Sequence, residues 1–88
     1  MIPYFEAHIA LNPENLDAAK SLGSRYGFWV SVIQGDDLLG PGKKVYLTKR
    51  GDSAETLIQE VRLMCEALAP TKWLRRKVEV AIFDEVMP

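Results

Sequence analysis

The fold is decided by the stretch PYFEAHIAL, residues 3–11, in which purely apolar side chains alternate with a more mixed set. A period of two is typical of a β-strand with one face toward a core and one toward solvent. The apolar set is Phe5, Ala7, Ile9 and Leu11, and the mixed set is Tyr4, Glu6, His8 and Ala10. We therefore expect Glu6 and His8 to project from the uncovered side of a sheet.

Five further elements follow this strand. The apolar spacing predicts a helix over residues 13–26 that stops at Gly27, and a second helix that begins with the capping pair Asp52 and Glu55 and ends before Pro70. Strands are predicted over residues 28–34, 43–50 and 75–86. The resulting order is β-α-β-β-α-β.

That order is the one found in the ferredoxin-like split βαβ sandwich, an α+β fold. Two right-handed crossovers would place both helices on one face of a four-stranded antiparallel sheet of order 4-1-3-2. The length of 88 residues fits one such domain, residues 1–88. The predicted helix-covered positions are Phe5, Ala7, Ile9, Val45, Leu47, Val78, Val80 and Ile82.

The opposite face of the sheet would then be open and partly charged. Alternation assigns to it Tyr4, Glu6, His8, Tyr46, Thr48, Arg50, Lys77, Glu79 and Phe83, joined by Trp29, Ser31 and Ile33 from the second strand. A histidine beside a carboxylate can act as a general acid or base. We therefore predict catalytic roles for His8 and Glu6, and ligand binding by Thr48, Arg50, Lys77, Glu79 and Tyr46.

The leading hypothesis is a domain that binds an anionic small molecule on this open face, with acid/base chemistry by His8. One alternative is that the charges are ordinary cross-strand pairs, and that His8 is structural. Another is a homodimer through the same face, since aromatic residues lie between the charges. The aromatic and apolar residues in question are Tyr4, Trp29, Ile33, Tyr46 and Phe83.

The net charge and the cysteine content limit which partners and cofactors the chain is expected to bind. The formal net charge is -1, from 11 basic and 12 acidic residues, which disfavours extended binding to nucleic acid or to an anionic membrane. Cys65 is the one cysteine, so a disulfide within the chain and a Cys/His zinc site are both excluded, and no cofactor or metal is predicted. We expect a cytosolic protein, because no signal peptide or apolar run of membrane-spanning length is visible.

Two loops and a basic run carry weaker patterns. The segment at residues 40–44 has glycines and lysines but lacks the spacing of a phosphate loop, so we interpret it as a hairpin turn. Asp36 and Asp37 are a minor candidate for a hard cation. The basic run at residues 75–77 is a candidate for phosphate contacts, although a solvated strand start with Trp73 packed under the second helix is the favoured interpretation.

Three short motifs resemble a group of small uncharacterised proteins that share an E-x-H-I/V strand and a later R-x-K-I/V-E strand. Here the motifs are Phe5-Glu6-Ala7-His8-Ile9, Tyr46-Leu47-Thr48 and Arg75-Arg76-Lys77-Val78-Glu79. In this order they span most of the chain. The resemblance implies no activity. It implies that the positions of interest are Glu6, His8, Thr48, Arg75, Lys77 and Glu79.

Overall fold

The computed structural model describes residues 2–35 and 37–83. For residues 2, 37, 82 and 83 it describes the backbone alone. It is an α+β structure of four strands and two helices. The strands are β1 Ile2–Leu11, β2 Trp29–Gln34, β3 Lys43–Gly51 and β4 Arg75–Phe83. The helices are α1 Leu16–Tyr26 and α2 Ala54–Leu68, and short 3-10 turns cover Pro13–Asn15 and Asp37–Leu39.

The four strands form one antiparallel sheet of order β2-β3-β1-β4, which counted from the other edge reads 4-1-3-2. The two long central strands, β1 and β3, pair in a register that sets His8 opposite Thr48 and Glu6 opposite Arg50. On its other side, β1 pairs with β4 and sets His8 opposite Lys77. Because side chains alternate along each strand, this register fixes which residues share a face.

Both helices pack on the face that the alternation predicts. The core joins β1 and β3 to the apolar stripes of the helices, and its fully buried members include Ile9, Leu47 and Met64. Its residues are Ala7, Ile9, Leu11, Ala19, Phe28, Val45, Leu47, Leu57, Val61, Met64 and Leu68. Helix α1 stops where expected, because Gly27 takes a left-handed conformation with φ of 79°.

Several sequence predictions need correction. Val80 was predicted to be covered by the helices, but it is 64% exposed. It lies on the edge strand β4, beyond residues 76–78, which flank α2. The cap of α2 is Ser53 rather than Asp52, and the Ser53 hydroxyl accepts a hydrogen bond of 3.3 Å from the amide of Thr56.

The last predicted strand residues, 84–86, lie outside the described part of the chain, as does Asp36. The side chains of Asp37, Ile82 and Phe83, which were assigned to a cation site, the core and the open face, also lie outside it. Among the described residues, no helix is long and apolar enough to cross a membrane.

The segment between β2 and β3 is a hairpin connection, as predicted, since the flanking residues Gln34 and Lys43 are paired. A hydrogen bond from the amide of Gly35 to the carbonyl of Gly42 joins the two ends of this segment. Lys44 is buried, and its ammonium donates a hydrogen bond of 2.8 Å to the carbonyl of Pro41. The lysine therefore holds the connection closed instead of presenting its charge to a ligand.

Candidate functional site

The open face carries its polar side chains in rows that run across the strands. His8 is central in one row, between Thr48 and Lys77, and Trp29 follows beyond Thr48 on β2. The next row sets Arg50, Glu6 and Glu79 side by side, and the row on the other flank holds Ser31, Tyr46, Ala10 and Arg75. Four separate stretches of sequence thus meet around His8.

His8 makes polar contacts through both ring nitrogens. Nδ1 lies 3.2 Å from the Thr48 hydroxyl, and Nε2 lies 3.3 Å from Oε1 of Glu6 and 3.1 Å from Oε1 of Glu79. Carboxylates only accept hydrogen bonds, so a proton on Nε2 satisfies both contacts while the Thr48 hydroxyl donates to Nδ1. The imidazole is thus held in one orientation from two sides.

Each carboxylate uses its second oxygen to contact a cation. Oε2 of Glu6 accepts a hydrogen bond of 3.0 Å from Nε of Arg50, and Oε2 of Glu79 lies 3.2 Å from Nζ of Lys77. The result is a continuous chain of contacts, Arg50–Glu6–His8–Glu79–Lys77. With His8 neutral, the two acidic and two basic members cancel in charge.

The two carboxylates differ in exposure. The Glu6 side chain is 17% exposed, while that of Glu79 is 44% exposed and reaches solvent. The hydrogen bond from Lys77 lowers the pKa of the Glu79 carboxyl below its usual value of 4.5; desolvation opposes this shift, and the charge of Lys77 and the contact with His8 add to it. Glu79 is therefore a carboxylate at neutral pH.

Arg50 is held on the far side of the cluster. Its guanidinium carbon lies 5.2 Å from the centroid of the Tyr4 ring and 5.4 Å from that of Trp29, within the range of cation–π attraction. Together with its bond to Glu6, these contacts hold the Arg50 side chain away from the groove beside His8, whose lining does not include Arg50. The ligand-binding role of Arg50 therefore stays a prediction from the sequence.

A groove of about 350 Å³ opens on the same face, next to His8. Four of the predicted site residues besides His8 line it: Tyr46, Thr48, Lys77 and Glu79. Arg75 lines it as well, a position that the sequence had indicated through the basic run at residues 75–77 and through the resemblance. The rest of the lining comes from the end of β2 and the residue after it, namely Ser31, Ile33, Gln34 and Gly35.

The basic run at residues 75–77 is divided between the two faces of β4. Arg75 and Lys77 line the open-face groove, whereas Arg76 alternates to the helix side, where its guanidinium carbon lies 4.7 Å from the centroid of the Trp73 ring. Trp73 is exposed, so the predicted packing of this side chain under α2 is wrong. Its ring is a partner for Arg76 and not part of the core.

One property of the cluster was missed by the sequence reasoning. Glu6, His8 and Glu79 each offer a metal-ligating atom, and these atoms all lie within 4.8 Å of one another. The signal was available in part, since Glu6 and His8 are two residues apart on one strand and so share a face. The third member required the register of β4 against β1, which the sequence does not display.

The sequence matches no protein-family profile. It matches no curated protein. Among solved structures, the de novo designed protein Foldit4 is similar, with 17% sequence identity and a TM-score of 0.40, over 96% of this chain and 98% of the designed chain.

Proposed function

We propose that the chain binds a small anionic molecule in the open-face groove. The observation that carries this proposal is the lining of the groove, where Arg75 and Lys77 face the hydroxyl-bearing side chains of Thr48, Tyr46 and Ser31. Cations supply charge-assisted hydrogen bonds to phosphate or carboxylate oxygens, and hydroxyl groups supply directional ones. A volume of about 350 Å³ suits a metabolite-sized ligand.

In this proposal His8 is the group that exchanges a proton with the bound molecule. Its imidazole lines the groove, and Glu6 and Glu79 orient Nε2 from the neighbouring positions. Carboxylates on one ring nitrogen orient a histidine for general acid or base catalysis, and the proton is then exchanged at the other nitrogen. That nitrogen is Nδ1, which contacts the Thr48 hydroxyl, so the proton passes between the bound molecule and His8 through this hydroxyl.

Inorganic phosphate is a suitable first probe, added to the chelator-treated full chain and followed by amide chemical shifts. We expect saturable shifts at the groove residues, about tenfold weaker binding for Lys77→Met, and unchanged binding for Lys20→Met on the exposed side of α1. His8→Ala should keep the fold and weaken binding. Shifts that follow ionic strength alone, with no difference between the two lysine variants, would refute anion binding.

A homodimer through the same face is the second candidate. Trp29 is 47% exposed and Ile33 is 54% exposed, and both lie on the open face of the edge strand β2. Aromatic and aliphatic side chains of this kind are typical of the core of an interface. The dimer predicts a solution mass near twice 9.9 kDa, and a monomer for Tyr46→Asp. A single 9.9 kDa species at high concentration would exclude it.

Two finer assignments belong with these proposals. The element order and the placement of both helices on one face support a ferredoxin-like split βαβ architecture. The cytosolic location stays a prediction, made because a single cysteine is typical of a reducing compartment. Nucleic-acid binding is a weaker proposal, because the run at 75–77 sends its cations to opposite faces of one strand and forms no single patch.

A further inference from the structure

The geometry points to a binding site for one divalent transition-metal ion, formed by Nε2 of His8 and one carboxylate oxygen each of Glu6 and Glu79. These three side chains come from β1 and β4 and lie in adjacent positions of the open face. One nitrogen and two carboxylate oxygens form a ligand set that suits zinc and its first-row neighbours, rather than the all-oxygen sets of magnesium and calcium.

The separations fit an ion at the centre of the three atoms. Two ligands bound at ~2.1 Å lie ~3.4 Å apart at the tetrahedral angle and ~3.0 Å apart at a right angle. Nε2 of His8 lies 3.3 Å from Oε1 of Glu6 and 3.1 Å from Oε1 of Glu79. The two distances to Nε2 are therefore those of a coordination sphere, and all three ligand atoms lie within 4.8 Å of one another.

The groups around the three ligands are those that orient ligands in metal sites. Nδ1 of His8 contacts the Thr48 hydroxyl, which can accept a hydrogen bond and so leave the lone pair of Nε2 free for the metal. Arg50 contacts the second oxygen of Glu6, and Lys77 contacts the second oxygen of Glu79. Both of these contacts are to the oxygens that do not face His8, so the outer contacts persist when the ion binds.

The site is accessible and leaves coordination positions open. His8 and Glu79 line the groove of about 350 Å³, and Glu79 is the most exposed of the three ligands. Three protein ligands with remaining positions open to a groove are the arrangement of reactive rather than structural metal sites. Cys65 packs against the core cluster and takes no part.

The metal also bears on anion binding, and only this step of the inference rests on the proposed function. The charges of Glu6, Glu79, Arg50 and Lys77 cancel, so a divalent ion makes the cluster positive by two charges. A groove anion would then bind the open coordination position beside Lys77. In the loaded protein Nε2 carries no proton, so proton exchange by His8 belongs to the metal-free protein.

The test is a titration of the chelator-treated full chain with zinc chloride by calorimetry, and with cobalt chloride by visible absorption. We expect one ion per chain and a ligand-field band from cobalt. Glu79→Gln should weaken binding at least tenfold, and His8→Gln should abolish the cobalt band. The matched control Glu66→Gln, on the exposed side of α2, should bind as the natural chain does.

Circular dichroism of each variant checks that the fold persists, and the exposed position of Glu79 keeps its variant informative if His8→Gln unfolds. No saturable binding below ~1 mM, or equal affinity for Glu79→Gln and Glu66→Gln, overturns the metal site. Phosphate titrations with and without zinc separate the two proposals. Zinc binding without any phosphate binding removes the anion function alone, and phosphate binding without zinc binding removes the metal site alone.

Discussion

The two faces of the sheet differ in kind, although the same strands supply both. On the helix side, Ile9 and Leu47 are fully buried among apolar neighbours. On the open side, the adjacent residues His8 and Thr48 belong to a network of hydrogen bonds and ion pairs that borders a groove. On the helix side the packing is dense, so the stability of the fold depends on the volume of each side chain. On the open side, water can replace a lost hydrogen-bond or ion-pair partner, so substitutions there cost less stability. Stability and chemistry can therefore be altered separately.

The largest effect is expected on the helix side. Leu47→Ala removes a fully buried side chain from the centre of the core and should lower the free energy of unfolding by about 2–5 kcal/mol. Ile33→Ala, at an exposed position of the open face, should change it by less than about 0.5 kcal/mol. Chemical denaturation measures both. Similar losses for the two variants would mean that the open face is buried in solution, as in the dimer.

A smaller loss is expected where α1 approaches the sheet. A Cβ atom at Gly23 would lie 3.0 Å from both the Phe28 carbonyl oxygen and a methyl group of Leu47. Gly23→Ala should therefore destabilise the fold by about 1–3 kcal/mol through overpacking, despite the better helix propensity of alanine. The exposed neighbour Ser24 offers a control, because Ser24→Ala should be neutral or slightly stabilising. A stabilised Gly23→Ala protein would show that α1 sits further from the sheet.

On the open face, the ion pair of Glu6 and Arg50 should contribute little. Arg50 is mostly exposed, so a double-mutant cycle with Glu6→Gln and Arg50→Gln should give a coupling of about 0.2–1 kcal/mol. Thermal denaturation in low and high salt measures the coupling and its screening. A coupling several times larger, or one that salt leaves unchanged, would place this pair among the buried determinants of stability.

The smallest effect concerns pH. The pKa of Glu79 is lowered in the folded chain, chiefly by the hydrogen bond from Lys77. The corresponding stabilisation is complete above the ordinary carboxyl value of 4.5 and is lost as pH falls through the lowered value. Acid titration of stability in the presence of chelator should show a weaker dependence for Lys77→Met. An unchanged acid limb in that variant would show that Lys77 is not the cause.

The sequence predicts the fold well where periodicity is strong. Alternation in β1 placed Ile9 inside and His8 outside, and the apolar spacing of α2 identified its buried side, because both patterns record burial directly. It failed for Val80, since an apolar residue on an edge strand looks the same in the sequence whether or not a helix reaches it.

The candidate site was predicted only as a set of residues on one face. Which of these residues reach the groove depends on the direction of each side chain. Arg50 was an equal candidate with Lys77, but rings on neighbouring strands hold it away from the groove. Arg75 reaches the groove because it pairs with Ala10 of β1. The contact between Glu79 and His8 likewise depends on the pairing of β4 with β1. The pattern of residues along one strand gives no distance to a side chain on another strand, so the sequence could not predict these contacts.

Lys44 lies near the start of β3 and can serve as a chemical reporter of the connection between β2 and β3. Acylating reagents need a free, deprotonated amine, and the Lys44 ammonium is enclosed and bonded to the carbonyl of Pro41. Its rate of labelling therefore measures how often the hairpin connection opens, while the exposed Lys20 and Lys43 report only the reactivity of the reagent. Gly35 lines the groove and lies against the Lys44 side chain. The labelling rate of Lys44 therefore also reports how often this wall of the groove opens.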